Sequence, residues 1–194
     1  MMASKRMSRR RAQLFIISAP SGAGKTTLAK AVLERYADLL YSVSFTTRKP
    51  RAVEQDGVDY HFISKHDFEK GIKEGHWAEW AEVYGNYYGT SGKFIDNGLS
   101  SGRDILLDID VQGTIQILKK YPDSVTIFIL PPSMKTLKKR LEMRGTDSRQ
   151  VIERRLVYAK NEMAQKDLYR HIIVNDNLSK AIEELSAILK KYRQ

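Results

Sequence analysis

The segment LFIISAPSGAGKTT, from Leu14 to Thr27, constrains the fold of this chain more than any other. Leu14 to Ser18 is short, apolar and rich in β-branched and aromatic residues, which predicts a buried strand. Small residues follow from Ala19 to Gly24. Lys25 to Tyr36 then places Leu28, Ala31 and Val32 at the spacing of an amphipathic helix. Ala19-Pro20-Ser21-Gly22-Ala23-Gly24-Lys25-Thr26 matches the phosphate-loop pattern GxxxxGK[ST], with Ala19 in place of the first glycine. Gly22 and Gly24 let the backbone wrap closely around phosphate oxygens, and the helix N-terminus adds partial positive charge. Lys25 can reach the β- and γ-phosphates, and the Thr26 hydroxyl can hold Mg2+. A nucleoside triphosphate is the expected ligand. The loop alone leaves motor, switch, ATPase and small-molecule kinase open. A chain of 194 residues with no spare domain makes a kinase of a small acceptor the economical choice.

The rest of the chain alternates strands and helices. Tyr41–Phe45 and Val58–Ile63 read as strands on either side of the polar loop TTRKPRAVEQDG, residues 46–57. Ser64 and Asp67 form a capping box opening a helix through Lys73. Trp77–Val83 and Asn86–Gly89 read as short strands around a turn at Tyr84–Asn86. Ile105–Ile109 is a buried-strand pattern, Val125–Leu130 an apolar strand and His171–Val174 a further strand, separated by helices at Gln112–Tyr121, Ser133–Met143 and Arg149–Lys166. Ser179–Tyr192 closes the chain as an amphipathic helix. The expected class is α/β: a mostly parallel sheet covered by helices on both faces. The small strands near residues 42–92 form an inserted lobe, with core segments at 13–41 and 103–194. Trp77, Trp80 and Phe68 are assigned to the core of that lobe.

Composition narrows the class by exclusion. Hydrophobic residues make up 42% and charged residues 29%, ordinary globular usage that fits neither a collagen-like nor a disordered chain. No apolar run reaches the roughly 18–20 residues of a membrane span. The chain has no cysteine, so disulfides and thiolate metal sites fall away, and a reducing, cytoplasmic location is expected. Its four histidines lack metal-ligand spacing. The formal net charge is +10, and Lys5, Arg6, Arg9, Arg10 and Arg11 supply half of that excess. Residues 1–12 are read as a basic, solvated and disordered tail. No aromatic side chain interleaves with these arginines, so no specific nucleic-acid partner is expected.

Three further constellations bear on chemistry. Asp108 and Asp110, two residues apart, are expected to share a strand face at the carboxyl end of a parallel strand, where α/β sheets bind ligands. There they would orient metal-bound water or an arginine. Arg140, Arg144, Arg149, Arg154 and Arg155 surround Gly145-Thr146-Asp147, and a helical lid at about residues 140–160 would close such cations over a triphosphate. Arg48 and Arg51 flank Pro50, and with Tyr60 and Tyr88 they suit a second, acceptor phosphate.

SAPSGAGKTT, VSFTTRKPRAVEQDGVDYHF, EWAEVYGNYYGTS, ILLDIDVQG, KKRLEMRGTD and IVNDNL occur in that order, and together they resemble the guanylate kinases. The resemblance runs from Gln13 to the C-terminus. It implies a phosphate-loop kinase core with a GMP-binding lobe and a helical lid, and ATP:GMP phosphotransfer in purine metabolism and GMP recycling. ATP with Mg2+ would be the donor. Lys25, Arg48, Asp108, Arg144 and Arg155 would carry the transfer. Ala19, Pro20, Ser21, Gly22, Ala23, Gly24, Lys25, Thr26 and Thr27, with Arg140, Arg144 and Asn175, would bind ATP. Ser44, Arg48, Arg51, Tyr60, Glu79, Tyr88, Thr90 and Asp110 would line the GMP site. Thr26 and, through water, Asp108 would serve the metal. No membrane partner is implied, and a homo-oligomer is left open.

Glu79 makes chemical sense as a guanine reader. A carboxylate only accepts hydrogen bonds. Guanine offers N1–H and the 2-amino group side by side, whereas adenine presents a bare N1 lone pair. Two rival functions lose ground on the same residues. Catalytically inert guanylate-kinase-like binding modules carry degraded phosphate loops, and a sugar-phosphate kinase needs no base reader.

Overall fold

A computed structural model describes residues 10–83, 85–143, 145 and 147–194. Lys5, Arg6 and Arg9 of the tail lie outside the described residues, as do Tyr84, Arg144 and Thr146. Five parallel strands form the main sheet: β1 (Leu14–Ser18), β2 (Leu40–Tyr41), β7 (Ile105–Asp108), β8 (Val125–Leu130) and β9 (His171–Val174). Their order is β2-β7-β1-β8-β9, which puts the strand feeding the phosphate loop at the centre.

All five residues of β1 are buried, and the two-residue period of a strand sends them alternately to two cores. Phe15 and Ile17 pack with Leu28 and Val32 of α1 (Lys25–Arg35) and with Leu185 and Leu189 of α7 (Leu178–Tyr192). Leu14 and Ile16 pack on the opposite face with Ile95 of α3 (Gly92–Ser100) and Ile117 of α4 (Val111–Lys120). Both faces are covered by helices, as the alternating pattern predicts. α5 (Met134–Met143) and α6 (Arg149–Met163) form a hairpin held by Leu137, Leu141, Ile152 and Ala159. Gly145, at φ 64, sits in the connection.

A second sheet contains β3 (Phe45–Thr46), β4 (His61–Phe62), β5 (Trp77–Val83) and β6 (Asn86–Ser91), in the order β4-β3-β6-β5. Ser64 caps α2 (Lys65–Lys73), its hydroxyl accepting the Asp67 N–H at 3.0 Å, as the capping box predicts. Phe68 of α2 stacks on Trp77 at 4.4 Å and on Tyr87 at 5.2 Å between ring centroids.

Several expectations are corrected. Tyr41–Phe45 is not one strand: Leu40–Tyr41 joins the main sheet, whereas Phe45–Thr46 joins the second. The chain passes from one sheet to the other across residues 42–44. Trp80 does not belong to the lobe core, because it faces solvent beside Tyr87 while Trp77 and Phe68 are buried. The predicted helix over 149–166 ends at Met163, and a 3-10 turn covers Lys166–Leu168. α3 was not predicted. Gly92, Asp96, Asn97 and Gly98 are poor helix formers, and tertiary packing overrides them. A Cβ at Gly98 would come within 2.7 Å of Ile105, so the helix lies close against the sheet. Arg10, assigned to the tail, is tied to the core by two hydrogen bonds to Asp104, at 3.0 and 2.6 Å.

Candidate active site

The carboxyl ends of β1 and β7 open into a cavity of about 690 Å³. One wall is the phosphate loop, with Ala19, Pro20, Ser21, Gly22, Gly24, Lys25, Thr26 and Thr27. Gly22 and Gly24 adopt φ of 95 and 99, the left-handed region open mainly to glycine. Gly24 is also the N-cap of α1 and has no side chain, so the first N–H groups of that helix are left without a side-chain cap. Lys25 forms an ion pair with Asp108, and its Nζ lies 3.4 Å from the Ile109 carbonyl. Burial works against the lysine's charge, but Asp108 prevails and raises its pKa.

Asp108 and Asp110 both line the cavity, although they do not share a strand. β7 ends at Asp108, and Asp110 is the N-cap of α4, its carboxylate accepting the Gly113 N–H at 2.8 Å. One acid therefore serves the phosphate-loop lysine and the other starts a helix. Below them, Ser18 donates to the Ile109 carbonyl at 2.8 Å and lies 3.0 Å from the Thr114 hydroxyl, joining β1 to α4.

The opposite wall comes from the second sheet. Ser44, Arg51, Tyr60, Glu79 and Tyr88 line the cavity. Glu79 is only 5% exposed, and Thr90, fully buried behind it, donates to its Oε1 at 2.6 Å. Burial pushes the Glu79 carboxyl up to about 7, partly offset by the Thr90 hydrogen bond and reinforced by the charge of Asp110. The Glu79 strand is fixed to α4 from outside: the Gln116 amide donates to the Trp80 carbonyl at 2.8 Å and accepts the Trp80 N–H at 3.2 Å.

Arg48 stands behind Tyr60 and Tyr88 instead of lining the cavity beside Arg51. Its Nε donates to the Tyr88 hydroxyl at 3.3 Å, and its guanidinium carbon lies 5.5 Å from the centre of the Tyr60 ring. Its fork grips Glu54 at 2.9 and 3.0 Å.

α6 supplies the third side. Arg155 reaches the Ser21 hydroxyl at 3.2 Å and pairs with Asp147 at 3.3 Å. Arg155, Tyr158, Asn161 and Glu162 form one face of that helix toward the cavity, and Gln165, just past its end, extends the same wall. Burial pushes the Glu162 carboxyl up to about 7 against the pull of Lys25. Arg140 and Asn175 support the phosphate loop from outside the cavity. The Asn175 amide donates to the Ala23 carbonyl at 2.8 Å, and Arg140 donates to the Asn175 carbonyl at 2.9 Å. Arg144, also assigned to the lid, lies outside the described residues.

Glu54, Gly113, Gln116 and Glu162 were missed in the sequence. Glu54 carries a faint signal, an acid three residues beyond Arg51 in an otherwise cationic turn. Glu162 carries another, two helical turns beyond Arg155. Gly113 and Gln116 carry none, because their partners lie more than thirty residues away on β5.

A phosphate loop on the central strand of a parallel sheet, facing a small second sheet and a cationic helix across one cavity, defines a phosphate-loop nucleotide-binding α/β protein. The family model described as guanylate kinase matches residues 11–192. A guanylate kinase from Nitrosospira multiformis is 49% identical over 180 residues, covering 93% of this chain and 86% of that protein. One from Geobacter metallireducens is 49% identical over 181 residues, covering 93% and 89%. The crystal structure of guanylate kinase from Anaplasma phagocytophilum has a TM-score of 0.79 at 32% identity, covering 94% of this chain and 87% of that one. The chain belongs to the guanylate kinase family.

Proposed function

We propose that this protein transfers the γ-phosphoryl group of ATP to GMP, yielding ADP and GDP, in purine nucleotide metabolism. The observation that carries the reading is the buried Glu79–Thr90 pair facing the phosphate loop across a single cavity. Thr90 occupies Oε1, which leaves Oε2 and the remaining lone pairs for the paired N–H donors of guanine. A GMP phosphate oxygen bonds to the γ-phosphorus, and the bond from that phosphorus to the β,γ-bridging oxygen breaks as ADP leaves. The nucleophile is already an anion, so the chain need not supply a strong base.

The protein's task is to bring two polyanions together and stabilise charge in the transition state. Lys25 and Arg155 serve the donor, and Arg51 with Tyr60 and Tyr88 serves the acceptor phosphate. Ser44 and Asp110 border the base site. Arg140 and Asn175 shape the phosphate loop. Among the described residues no three acidic or imidazole side chains form a metal-binding group, and Thr26 and Asp108 share the cavity wall. That donor set fits a Mg2+ ion carried largely by ATP oxygens and water. When bound it supplies charge neutralisation between the phosphates.

No described helix is long and apolar enough to cross a membrane, and the cysteine-free composition supports a reducing, cytoplasmic setting. Glu79→Ala tests the reading. GMP turnover should fall by orders of magnitude, since sites built around such hydrogen bonds discriminate by roughly 10⁴–10⁵, while ATP binding persists. Unchanged GMP turnover would remove Glu79 from the site.

A further inference from the structure

Resting on that reading, we infer that Glu54 is the positioning residue of the acceptor-phosphate site, fixing Arg48 and Arg51 relative to each other. One carboxylate holds the guanidinium of Arg48 and the backbone of Arg51. Its Oε1 accepts from Nη2 of Arg48 at 2.9 Å, and its Oε2 accepts both Nη1 of Arg48 at 3.0 Å and the Arg51 backbone N–H at 2.8 Å. The Glu54 N–H returns a hydrogen bond to the Arg51 carbonyl at 3.0 Å, closing the turn that follows Pro50.

Arg48 is nearly saturated by these and two further contacts. Nη1 also donates to the Lys49 carbonyl at 2.7 Å, and Nε donates to the Tyr88 hydroxyl at 3.3 Å. A guanidinium carries five N–H donors, so a single one, on Nη2, remains for a ligand. Arg48 in this arrangement is mainly a brace. It orients Tyr88, leaving the Tyr88 O–H free to donate to an anion, while Arg51 faces the cavity directly.

The pair is well placed to hold this geometry. Side-chain exposure is 17% for Arg48 and 14% for Glu54, so water competes weakly for the fork. The Arg48 hydrogen bond outweighs burial and holds the Glu54 carboxyl below its ordinary range, keeping it ionised at neutral pH. Removing the carboxylate charge therefore loosens the Arg48 fork and the turn that carries Arg51, beside the proposed acceptor-phosphate site. It leaves the base-reading side of the lobe, Glu79 and Thr90, in place.

The test compares GMP with guanosine, which has the same base and no phosphate, by calorimetric titration of the full chain. Glu54→Gln should weaken GMP roughly tenfold or more, the scale of a lost charged hydrogen bond, and leave guanosine and ATP within about twofold. A double-mutant cycle with Arg48→Lys separates positioning from folding. With Arg48 already replaced, Glu54→Gln should cost much less than it does alone. GMP affinity unchanged in Glu54→Gln overturns the inference. Equal losses of GMP and guanosine overturn it too, by making Glu54 a support of the whole lobe, as do strictly additive losses in the cycle. Should Glu54→Gln not fold, Glu54→Asp, which keeps the charge and shortens the reach, must weaken GMP more than guanosine or the inference fails. Wild-type protein that binds no GMP contradicts the proposed function itself, a result distinct from all of these.

Discussion

Gly113, on α4, determines how close the Glu79 carboxylate can come to the core. A Cβ there would sit 2.6 Å from Glu79 Oε2, closer than a carbon that cannot hydrogen-bond approaches an oxygen. Gly113→Ala should stabilise α4 through helix propensity, yet it must push Glu79 off its place. GMP affinity should fall about 10- to 100-fold, the scale of a displacement near 1 Å, with ATP affinity unaffected. Parallel titrations of the two nucleotides check this. The Glu79 carboxyl, raised to about 7, adds a pH dependence. Only the ionised form accepts both guanine donors. Guanosine affinity should therefore fall about tenfold per unit as pH drops below 7 and level off above it, and Glu79→Gln should flatten the profile. The same shift acts on the unliganded fold with a defined sign. The stability from this group is complete below the ordinary carboxylate range and is lost as pH rises through about 7. The guanine-reading role proposed for Glu79 could be inferred from the family resemblance and from the chemistry of a carboxylate. Its glycine neighbour could not, because a contact between Gly113 and residue 79 leaves no trace in local pattern.

At the scale of elements, β1, β5, β8 and β9 match the sequence reading residue for residue, since runs of β-branched and aromatic residues bounded by turn signals mark a strand even where, as in β5 and β9, it is only partly buried. The crossing at residues 42–44 was illegible for the opposite reason. Tyr41–Phe45 has one continuous strand-like composition, and only partner strands decide that its ends belong to different sheets. Asp110 was misplaced similarly, because an acid two residues beyond a strand end and a helix N-cap look alike in sequence. The loop joining β1 to α1 is supported by an element far along the chain. Asn175, just past β9, donates to the Ala23 carbonyl. Asn175→Ala leaves that buried carbonyl with only the long Arg140 contact at 3.4 Å. It should destabilise the fold by about 1–3 kcal/mol, and the altered loop should raise the KM for ATP several-fold with the KM for GMP unchanged. Thermal unfolding and steady-state kinetics of the variant measure the two effects.

For the whole molecule, the cavity lies where the main sheet, the second sheet and the α5–α6 hairpin meet, and each contributes one class of group. The sheet brings the phosphate loop, the inserted strands bring an acid and tyrosines, and the helix brings Arg155. Arg10 and Arg193 meet on the buried Asp104, so both ends of the described chain are anchored away from the cavity. Basic charge near the N-terminus therefore includes at least one arginine with a structural role, which a count of charges does not distinguish from a solvated one. This cavity is proposed to join an ATP phosphate to the phosphate of a guanine nucleotide. A coupled assay of ADP release, with ATP and Mg2+ and with GMP, AMP, dTMP or a sugar phosphate as acceptor, tests it most directly. Strong turnover with GMP and little with the others is the expected result. Turnover with the sugar phosphate in place of GMP, or none with any acceptor from folded protein, would contradict it.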